Sequence, residues 1–363
     1  MKKQIKIAFC IPLFNEEKKI HIIKRNIELI AQILPEFHIF FNDNHSTDKT
    51  YDKLLLIQKK WPERIFIYRQ QSNIGFSKNL SHFGAASNYI KERSRAEYFQ
   101  LLGADDVITK KGLLHLKKQI ETSEAANLII SNWIYTIKRG KRIKVLGDFD
   151  ISVRKTCLTL ETFFSRKFYI PGGIMQYCIH RSKLKELKNY EKEISPHVGV
   201  FFDCFPGRVI CAGPPGLCRV RKNQGSGWRS TSLGVVDTHV MCFKMYIRFL
   251  KKAFKDKKVF KTTYKRLLKE YTRLSWLIFK ECHEGKWGKW APSRKDKIVT
   301  YFFMLKGLLR GSLYSAIANL RYLQKTIQSD RERNAESIIR RVKKSALRTI
   351  KVKINSVHQK KAL

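Results

Sequence analysis

The sequence has few acidic residues and no long apolar run. It carries 30 Asp and Glu against 73 Lys and Arg, which gives a formal net charge of +43. Such a charge predicts a polyanionic partner, either nucleic acid or an anionic membrane surface. No segment has the roughly 18 uninterrupted apolar residues of a membrane span. The chain enters its first strand soon after Met1, without the apolar stretch of a signal peptide, so we expect a cytoplasmic location.

Several motifs are also missing, and each absence argues against one class of chemistry. The eight cysteines include no C-x-x-C pair, so we interpret them as reduced core thiols rather than disulfides or zinc ligands. The ten histidines include no H-x-x-x-H pair. Because G-x-S-x-G, G-x-G-x-x-G and the P-loop motif are absent as well, hydrolase, dehydrogenase and P-loop functions lose support.

What is present is a regular alternation of short apolar runs and helical patterns. This alternation predicts an open, mainly parallel α/β sheet flanked by helices. The predicted strands of the first half are Ile7–Leu13, Phe37–Phe41, Ile65–Tyr68, Tyr98–Leu102 and Leu128–Ile130.

Charge and composition divide the chain into three predicted regions. A catalytic domain over residues 1–234 ends near a Gly- and Ser-bearing break at Asn223–Trp228. A basic helical region over 235–330 and a basic, partly disordered tail over 331–363 follow it. From Lys244 onward there are 33 Lys and Arg against 8 Asp and Glu, an excess of 25 positive charges.

Polar residues cluster where the predicted strands end. They comprise Asn15, which we expect to cap the first helix, the segments 42–48 and 73–79, and the pair Asp105-Asp106. In open α/β sheets, ligands bind beyond the carboxyl ends of the strands, so these loops are expected to converge on one crevice. Two adjacent carboxylates there can hold Mg²⁺ or Mn²⁺ together with phosphate oxygens. The alternative for Asp105-Asp106 is a solvated turn after an edge strand.

Four of these segments, in this order and spacing, resemble the successive motifs of family 2 glycosyltransferases. The segments are Ile11-Pro12-Leu13-Phe14-Asn15-Glu16, Asn42-Asp43-Asn44-His45-Ser46-Thr47-Asp48, Asn73-Ile74-Gly75 with Asn79, and Asp105-Asp106. The resemblance implies a GT-A fold, a nucleotide-diphospho-sugar donor, and a glycan or lipid-linked acceptor. It also implies a divalent cation held by Asp106, with Asp105 facing the ribose. The remaining donor-binding residues that it implies are Pro12, Asn15, Asn42, Asp43 and Asn79.

The chain departs from the family pattern at two positions. Asn42 stands where the family often has the first of two aspartates, and Gly103 stands where it often has the first carboxylate of the metal motif. Because an Asn amide both donates and accepts, the nucleobase stays open. The Gly-Ala-Asp-Asp form is similar to the subgroup of abequosyltransferases and other O-antigen or capsule sugar transferases.

Two further residues are predicted for the transfer itself. The family uses a carboxylate of the second half as general base, and Asp203 lies there among apolar neighbours that favour proton uptake. The alternative for Asp203 is a strand-end or helix-cap residue. Arg221 belongs to a basic, Gly-bearing stretch running to Arg229, which is either a loop that closes over the diphosphate or a plain surface linker.

Other functions were weighed against an inverting sugar transfer. A sugar nucleotidyltransferase would need a Gly-rich phosphate loop after the first strand, which Pro12–Glu16 does not provide. Nucleic-acid binding would use the positive charge, but no nucleic-acid motif accompanies it, so we predict no nucleic-acid partner. We instead expect the residues from about 236 onward to hold the protein on the inner face of the cytoplasmic membrane. The alternative is a helical bundle packed on the catalytic domain with a solvated basic face.

Overall fold

The fold is known here from a computed structural model of the chain. It describes residues 7–122, 126–139, 142–148, 155–165, 172–205, 207–222, 235–254 and 256–264.

An eight-stranded mixed sheet forms the centre of the described part, in the order β3-β2-β1-β4-β10-β6-β11-β9. Strands β1 to β4 run parallel to one another, whereas β10 runs antiparallel to both β4 and β6. The strands of this sheet are β1 Ile7–Leu13, β2 His38–Asp43, β3 Ile65–Arg69, β4 Tyr98–Leu101, β6 Leu128–Ile130, β9 Lys155–Cys157, β10 Tyr177–His180 and β11 Val209–Cys211.

A second, four-stranded sheet has the order β5-β12-β7-β8. Its strands are β5 Val107–Ile108, β7 Trp133–Arg139, β8 Arg142–Asp148 and β12 Cys218–Lys222. Strand β5 begins directly after the Asp105-Asp106 pair, so this sheet supports the acidic turn from the side opposite β4.

Helices cover the sheet because each carries an apolar stripe. In the first helix, Ile20, Ile23, Ile27 and Ile30 recur at helical spacing and are all buried in the same core as β1. The helices are α1 Ile20–Ile33, α2 Thr50–Lys60, α3 Phe76–Ala85, α4 Ser87–Arg93, α5 Lys110–Glu121, α6 Leu160–Ser165, α7 Pro196–Asp203 and α8 Val235–Ala253. Short 3₁₀ helices cover Glu17–Lys19, Ile174–Gln176 and Leu184–Tyr190. The predicted α/β fold class is therefore confirmed.

The helix that follows the predicted domain boundary at residue 234 contacts residues before that boundary. Helix α8 packs on the catalytic domain through Phe249, whose ring lies 5.5 Å from that of Tyr190 and 5.3 Å from that of Phe202. Arg248 of α8 also pairs with Glu193. The compact unit that contains the sheet accordingly extends over Met1–Thr263. Within the described residues no helix is long and apolar enough to cross a membrane.

Candidate active site

The acidic turn follows β4 and is clamped from two sides. Asp106 is 4% exposed, and its Oδ2 accepts the backbone N–H of Gly103 at 3.0 Å. From α1, Asn26 donates through Nδ2 to the backbone oxygen of Asp106 at 2.7 Å and accepts the N–H of Ile108 at 3.0 Å. The backbone of Asp106 and Ile108 is therefore held by a buried amide that was not among the predicted site residues. The signal available in the sequence was a polar residue within the apolar stripe of α1.

Glycine at position 103 has a steric reason. A Cβ there would lie 2.6 Å from Asp106 Oδ2, so the Asp106 carboxylate already occupies the space that a side chain would need. Burial raises the pKa of Asp106 well above its usual range, and the nearby charge of Asp105 raises it further. An uncompensated carboxylate in this position favours binding of a cation or a proton.

One lysine lies between the carboxylates of this edge. Lys19 Nζ is 2.8 Å from Glu16 Oε2 and 3.5 Å from Asp105 Oδ2. Burial acts to lower the pKa of Lys19, but the charge of Asp105 and the hydrogen bond with Glu16 outweigh it, and the pKa is raised. Burial raises the pKa of Glu16, against which the Lys19 contact acts. Within the described ranges, no three His, Cys, Asp or Glu side chains lie close enough to hold a metal ion by themselves.

The loops after β1 and β2 are joined by direct hydrogen bonds. Asn15 has a left-handed backbone with φ of 54°, and its Oδ1 accepts the N–H of Thr47 at 2.8 Å. Its own N–H donates to Ser46 Oγ at 2.9 Å, and Glu16 N–H donates to Thr50 Oγ1 at 2.8 Å. Asn15 therefore ties two loops together and does not cap α1, which starts at Ile20 after a 3₁₀ turn. Its side chain is exposed at the crevice, as a donor-binding residue requires.

Asn42 and Asn79 form a buried amide pair behind the crevice. Asn42 is 0% exposed, its Nδ2 donates to the Asn79 backbone oxygen at 2.6 Å, and its Oδ1 accepts from Gln70 Nε2 at 3.1 Å. Asn79 in turn donates to the Asn42 backbone oxygen at 3.1 Å. The amide nitrogen and the amide oxygen of Asn42 thus each have a partner inside the protein. Asn79 Oδ1 is buried without a hydrogen-bond partner among the described residues. Donor contact by Asn42 and Asn79 stays a prediction, beside the structural role that these hydrogen bonds give both residues.

Two of the predicted donor residues line the crevice from beneath. Pro12 is buried and pairs with Asn42 in the register of β1 and β2. Asp43, the last residue of β2, is 0% exposed, accepts the N–H and hydroxyl of Ser46, and has Arg69 Nε 3.5 Å from its Oδ2. Pro12 and Asp43 are thus buried beneath the loop after β2. The side chains that reach solvent at this point belong to the loop.

Asp203 lies at the other edge of the sheet. Its backbone oxygen accepts from Lys183 Nζ at 2.9 Å, and the next carbonyl accepts from Asn127 Nδ2 at 3.1 Å. Lys183 follows the end of β10 and Asn127 precedes β6, and both positions mark the edge where β4 begins. The Asp203 carboxylate accepts instead from the Tyr190 hydroxyl at 2.7 Å. The acidic turn follows the opposite end of β4, so the structure does not bring Asp203 and Asp106 together. The general-base role of Asp203 stays a prediction.

Strand β12, which contains Arg221, pairs with the strand that follows the acidic turn. In this antiparallel pair Cys218 lies opposite Ile108 and Arg219 lies opposite Val107. Arg221 itself pairs with Thr136 of β7, and its side chain lies outside the described ones, so its contact with the donor stays a prediction. The predicted linker at Asn223–Trp228, Pro171 and the tryptophans of the C-terminal third lie outside the described residues.

Comparison with known proteins identifies the family to which this crevice belongs. The sequence model of glycosyl transferase family 2 matches residues 8–187, a range that contains the loops after β1, β2, β3 and β4. The chain belongs to glycosyltransferase family 2. This confirms the resemblance that was based on the four loop motifs.

Individual relatives of this family 2 chain are distant. Abequosyltransferase RfbV of Salmonella typhimurium is 23% identical over 230 residues, which are 59% of this chain and 66% of RfbV. The match therefore spans just under two thirds of the length of RfbV. Residues 1–349 of S. aureus TarS, solved in complex with UDP-GlcNAc, superpose with a TM-score of 0.54 at 13% identity over 84% of this chain and 81% of that one. The TarS complex with UDP gives 0.51 at 12% identity. These likenesses support the GT-A fold.

Proposed function

We propose that this family 2 glycosyltransferase moves a sugar from a nucleotide-diphospho-sugar to a hydroxyl group, with inversion at the anomeric carbon. The observation that carries the proposal is the Asp105-Asp106 turn, fixed by Asn26 beside the joined loops that follow β1 and β2. Membership of the family supports sugar transfer, and the crevice supplies the carboxylates that a diphosphate donor with its cation requires.

The donor is proposed to lie across the carboxyl ends of β4, β1 and β2. Neighbouring strands are about 4.8 Å apart, so a donor whose diphosphate lies at the cation on Asp106 and whose ribose lies against Asp105 can place its nucleobase about 10 Å away, over the loop after β2. Asn15 lines this path and Pro12 supports it from below. Arg221 belongs to β12, the strand that pairs with β5, and is proposed to contact the diphosphate. Guanidinium groups suit paired phosphate contacts. The names of RfbV and of the TarS complex support an activated-sugar donor of this general kind.

The carboxylates fit Mg²⁺ or Mn²⁺. Both aspartates offer hard oxygen ligands, and the Lys19 ammonium already occupies a cationic position beside Asp105. We propose that Asp106 holds the cation and that Asp105 contacts the ribose. The cation, when bound, would stabilise the negative charge of the departing diphosphate.

The acceptor is proposed to be a glycan or a lipid-linked glycan of surface polysaccharide synthesis. It would approach from the β10 side of the sheet, where Gly172 and Gly173 leave the backbone accessible. His197 supports this backbone from α7, since its Nε2 lies 3.1 Å from the Gly172 oxygen. Burial lowers the pKa of His197 to about 4, so the ring is neutral at neutral pH, and its Nε2–H donates to the Gly172 carbonyl.

A peripheral position on the anionic inner face of the cytoplasmic membrane is proposed for the whole chain. The apolar side of α8 is packed on the catalytic domain, so its basic side is the one that would meet lipid headgroups. Lys251 and Lys252 are exposed at its end. Each lysine close to such a surface contributes about 1 kcal/mol of attraction.

The transferase proposal is tested with UDP-, CDP-, dTDP- and GDP-linked sugars, by following release of the nucleoside diphosphate with mass spectrometry. We expect turnover with one donor class, loss of turnover with a chelator, and restoration by Mn²⁺ or Mg²⁺. Asp106→Ala should behave like the chelated enzyme, whereas the exposed control Lys111→Ala should not. Absence of turnover with every donor, or full turnover of Asp106→Ala, would contradict the proposal.

The membrane proposal is tested by co-sedimentation of the full chain with anionic vesicles at low and high salt. The test variant replaces four exposed lysines by Gln, namely Lys251, Lys252, Lys257 and Lys258. The control variant replaces four exposed lysines elsewhere, namely Lys59, Lys60, Lys110 and Lys111. Weaker binding of the test variant alone is expected, and equal binding of both variants would place the contact elsewhere.

A further inference from the structure

Lys19 contacts the acidic turn through Asp105, and its ammonium group lies between two carboxylates. Its side chain is 23% exposed and lies between Glu16, at 15%, and Asp105, at 27%. It sits at the end of the 3₁₀ turn Glu17–Lys19, three residues after Glu16, so the backbone fixes it over the crevice. The contacts of Lys19 with Glu16 and Asp105 are therefore part of the site and not solvated surface contacts.

The other acidic groups of the same loops already have partners. Glu17 pairs with Lys53 at 2.9 Å, and Asp48 accepts the N–H of Thr50 at 2.9 Å and that of Glu17 at 3.2 Å. These groups hold the loops together. Lys19 joins the loop after β1 to the carboxylates after β4, through Asp105.

A divalent cation on Asp106 and the Lys19 ammonium on Asp105 would occupy adjacent carboxylates. Two cations at this distance repel one another. Binding of the divalent cation therefore weakens the contact between Lys19 and Asp105 and favours its release. A displaced lysine on a four-carbon stem needs a new anion, and the anion that arrives at this point is the diphosphate.

We propose that Lys19 has two positions: on Asp105 and Glu16 in the free protein, and on the diphosphate once the metal and the donor are bound. This inference rests on the proposed function and adds a reason for coupled binding. When the metal binds alone, Lys19 loses its carboxylate contacts without a replacement. When the metal binds together with a nucleoside diphosphate, the diphosphate replaces those contacts. Each ligand then raises the affinity for the other, as linkage requires.

The experiment measures Mn²⁺ binding to the full chain by electron paramagnetic resonance of free Mn²⁺, with and without a nucleoside diphosphate. The nucleotide is the one among UDP, CDP, dTDP and GDP that most raises the melting temperature of the wild type. Lys19→Met removes the charge and keeps the length of the side chain. Lys19→Arg keeps the charge, and Lys18→Met is the control, because Lys18 lies in the same turn and is exposed.

Lys19→Met is expected to bind Mn²⁺ alone at least about fivefold more tightly and the nucleotide alone more weakly, so that the coupling factor falls by about tenfold. Lys19→Arg and Lys18→Met should keep the coupling of the wild type. Coupling that is present in the wild type and unchanged in Lys19→Met would overturn the inference and leave the proposed function intact. A wild type that binds Mn²⁺ under neither condition would overturn both. If Lys19→Met does not fold, Lys19→Gln replaces it under the same criteria.

Discussion

Substituting Asn42 by Asp separates a structural role from a nucleobase-binding role. Asn42 is fully buried, and its Nδ2 donates to the Asn79 carbonyl at 2.6 Å. A carboxylate oxygen placed there would face that carbonyl without a hydrogen between them, and only the donor from Gln70 would remain. Loss of one partner from a buried polar pair, with a charge left behind, costs about 3–5 kcal/mol. For a domain of this size we expect the melting temperature to fall by roughly 10 °C.

The cost should depend on pH in a defined direction. Burial raises the pKa of the introduced carboxyl above the unfolded value of about 3.9, so the folded state binds the proton more tightly. Stability is then greatest below the unfolded pKa and is lost as pH rises through the folded pKa. Urea unfolding of Asn42→Asp at pH 7 and pH 5, followed by circular dichroism, measures both effects. The gap to the wild type should be smaller at pH 5.

Asn73→Asp is the matched control for this substitution. Asn73 is exposed, and its Oδ1 accepts from Asn44 at 2.8 Å and from the Gly75 N–H at 3.0 Å. A carboxylate keeps both bonds, so we expect a change within about 0.5 kcal/mol. If Asn42→Asp unfolds at the wild-type urea concentration and instead alters the preference among nucleoside diphosphates, then Asn42 reads the base and the structural argument is refuted.

Three further predictions concern the acidic turn and its surroundings. Asp106→Asn should lose Mn²⁺-induced stabilisation. Because burial raises the pKa of Asp106, the metal-free wild type should lose stability relative to this variant as pH rises from 5 to 8. The opposite trend in urea unfolding would contradict the burial argument. Gly112→Ala should cost about 1–3 kcal/mol in urea unfolding, because its Cβ would lie 2.3 Å from the Gly216 oxygen, and an unchanged midpoint would contradict that close contact. Asp203→Asn should keep turnover within about twofold in the donor assay, since the residue is bound to Tyr190 away from the turn, and loss of turnover would instead support the general-base role.

The sequence was sufficient to predict the first half of the fold. Strand β1 is buried along its whole length and α1 has a regular apolar stripe, so both are visible as patterns in a single sequence. Strands β7 and β8 were not predicted because neither is a continuous apolar run, and the second partner of β7 is β12, more than seventy residues later. The helical pattern from Val240 to Phe254 is confirmed by α8, but its contact with α7 joins residues more than forty positions apart and is not visible in the pattern.

For the site, position along the chain predicted proximity better than orientation. Asn15 and the Asp105-Asp106 pair lie at the expected edge because each directly follows a parallel strand. Side chains at a strand end point alternately to the ligand side and to the core. The motif does not specify which side Asn42 faces, and the structure shows that it is buried. The apolar neighbours of Asp203 suggest a general base, but they are equally typical of the last residue of a buried helix.

The contacts of α1 have a consequence for exchanging parts between related enzymes. The helix reaches the acidic turn at two separate points: Lys19 at its start meets Asp105, and Asn26 on its flank binds the backbone of Asp106 and Ile108. Two contacts on one rigid rod define the orientation of the turn as well as its position. A chimera that imports only residues 103–106 from a relative would lose both constraints. The smallest transplantable unit is therefore the turn together with residues 16–33, even though about seventy residues of sequence separate the two segments.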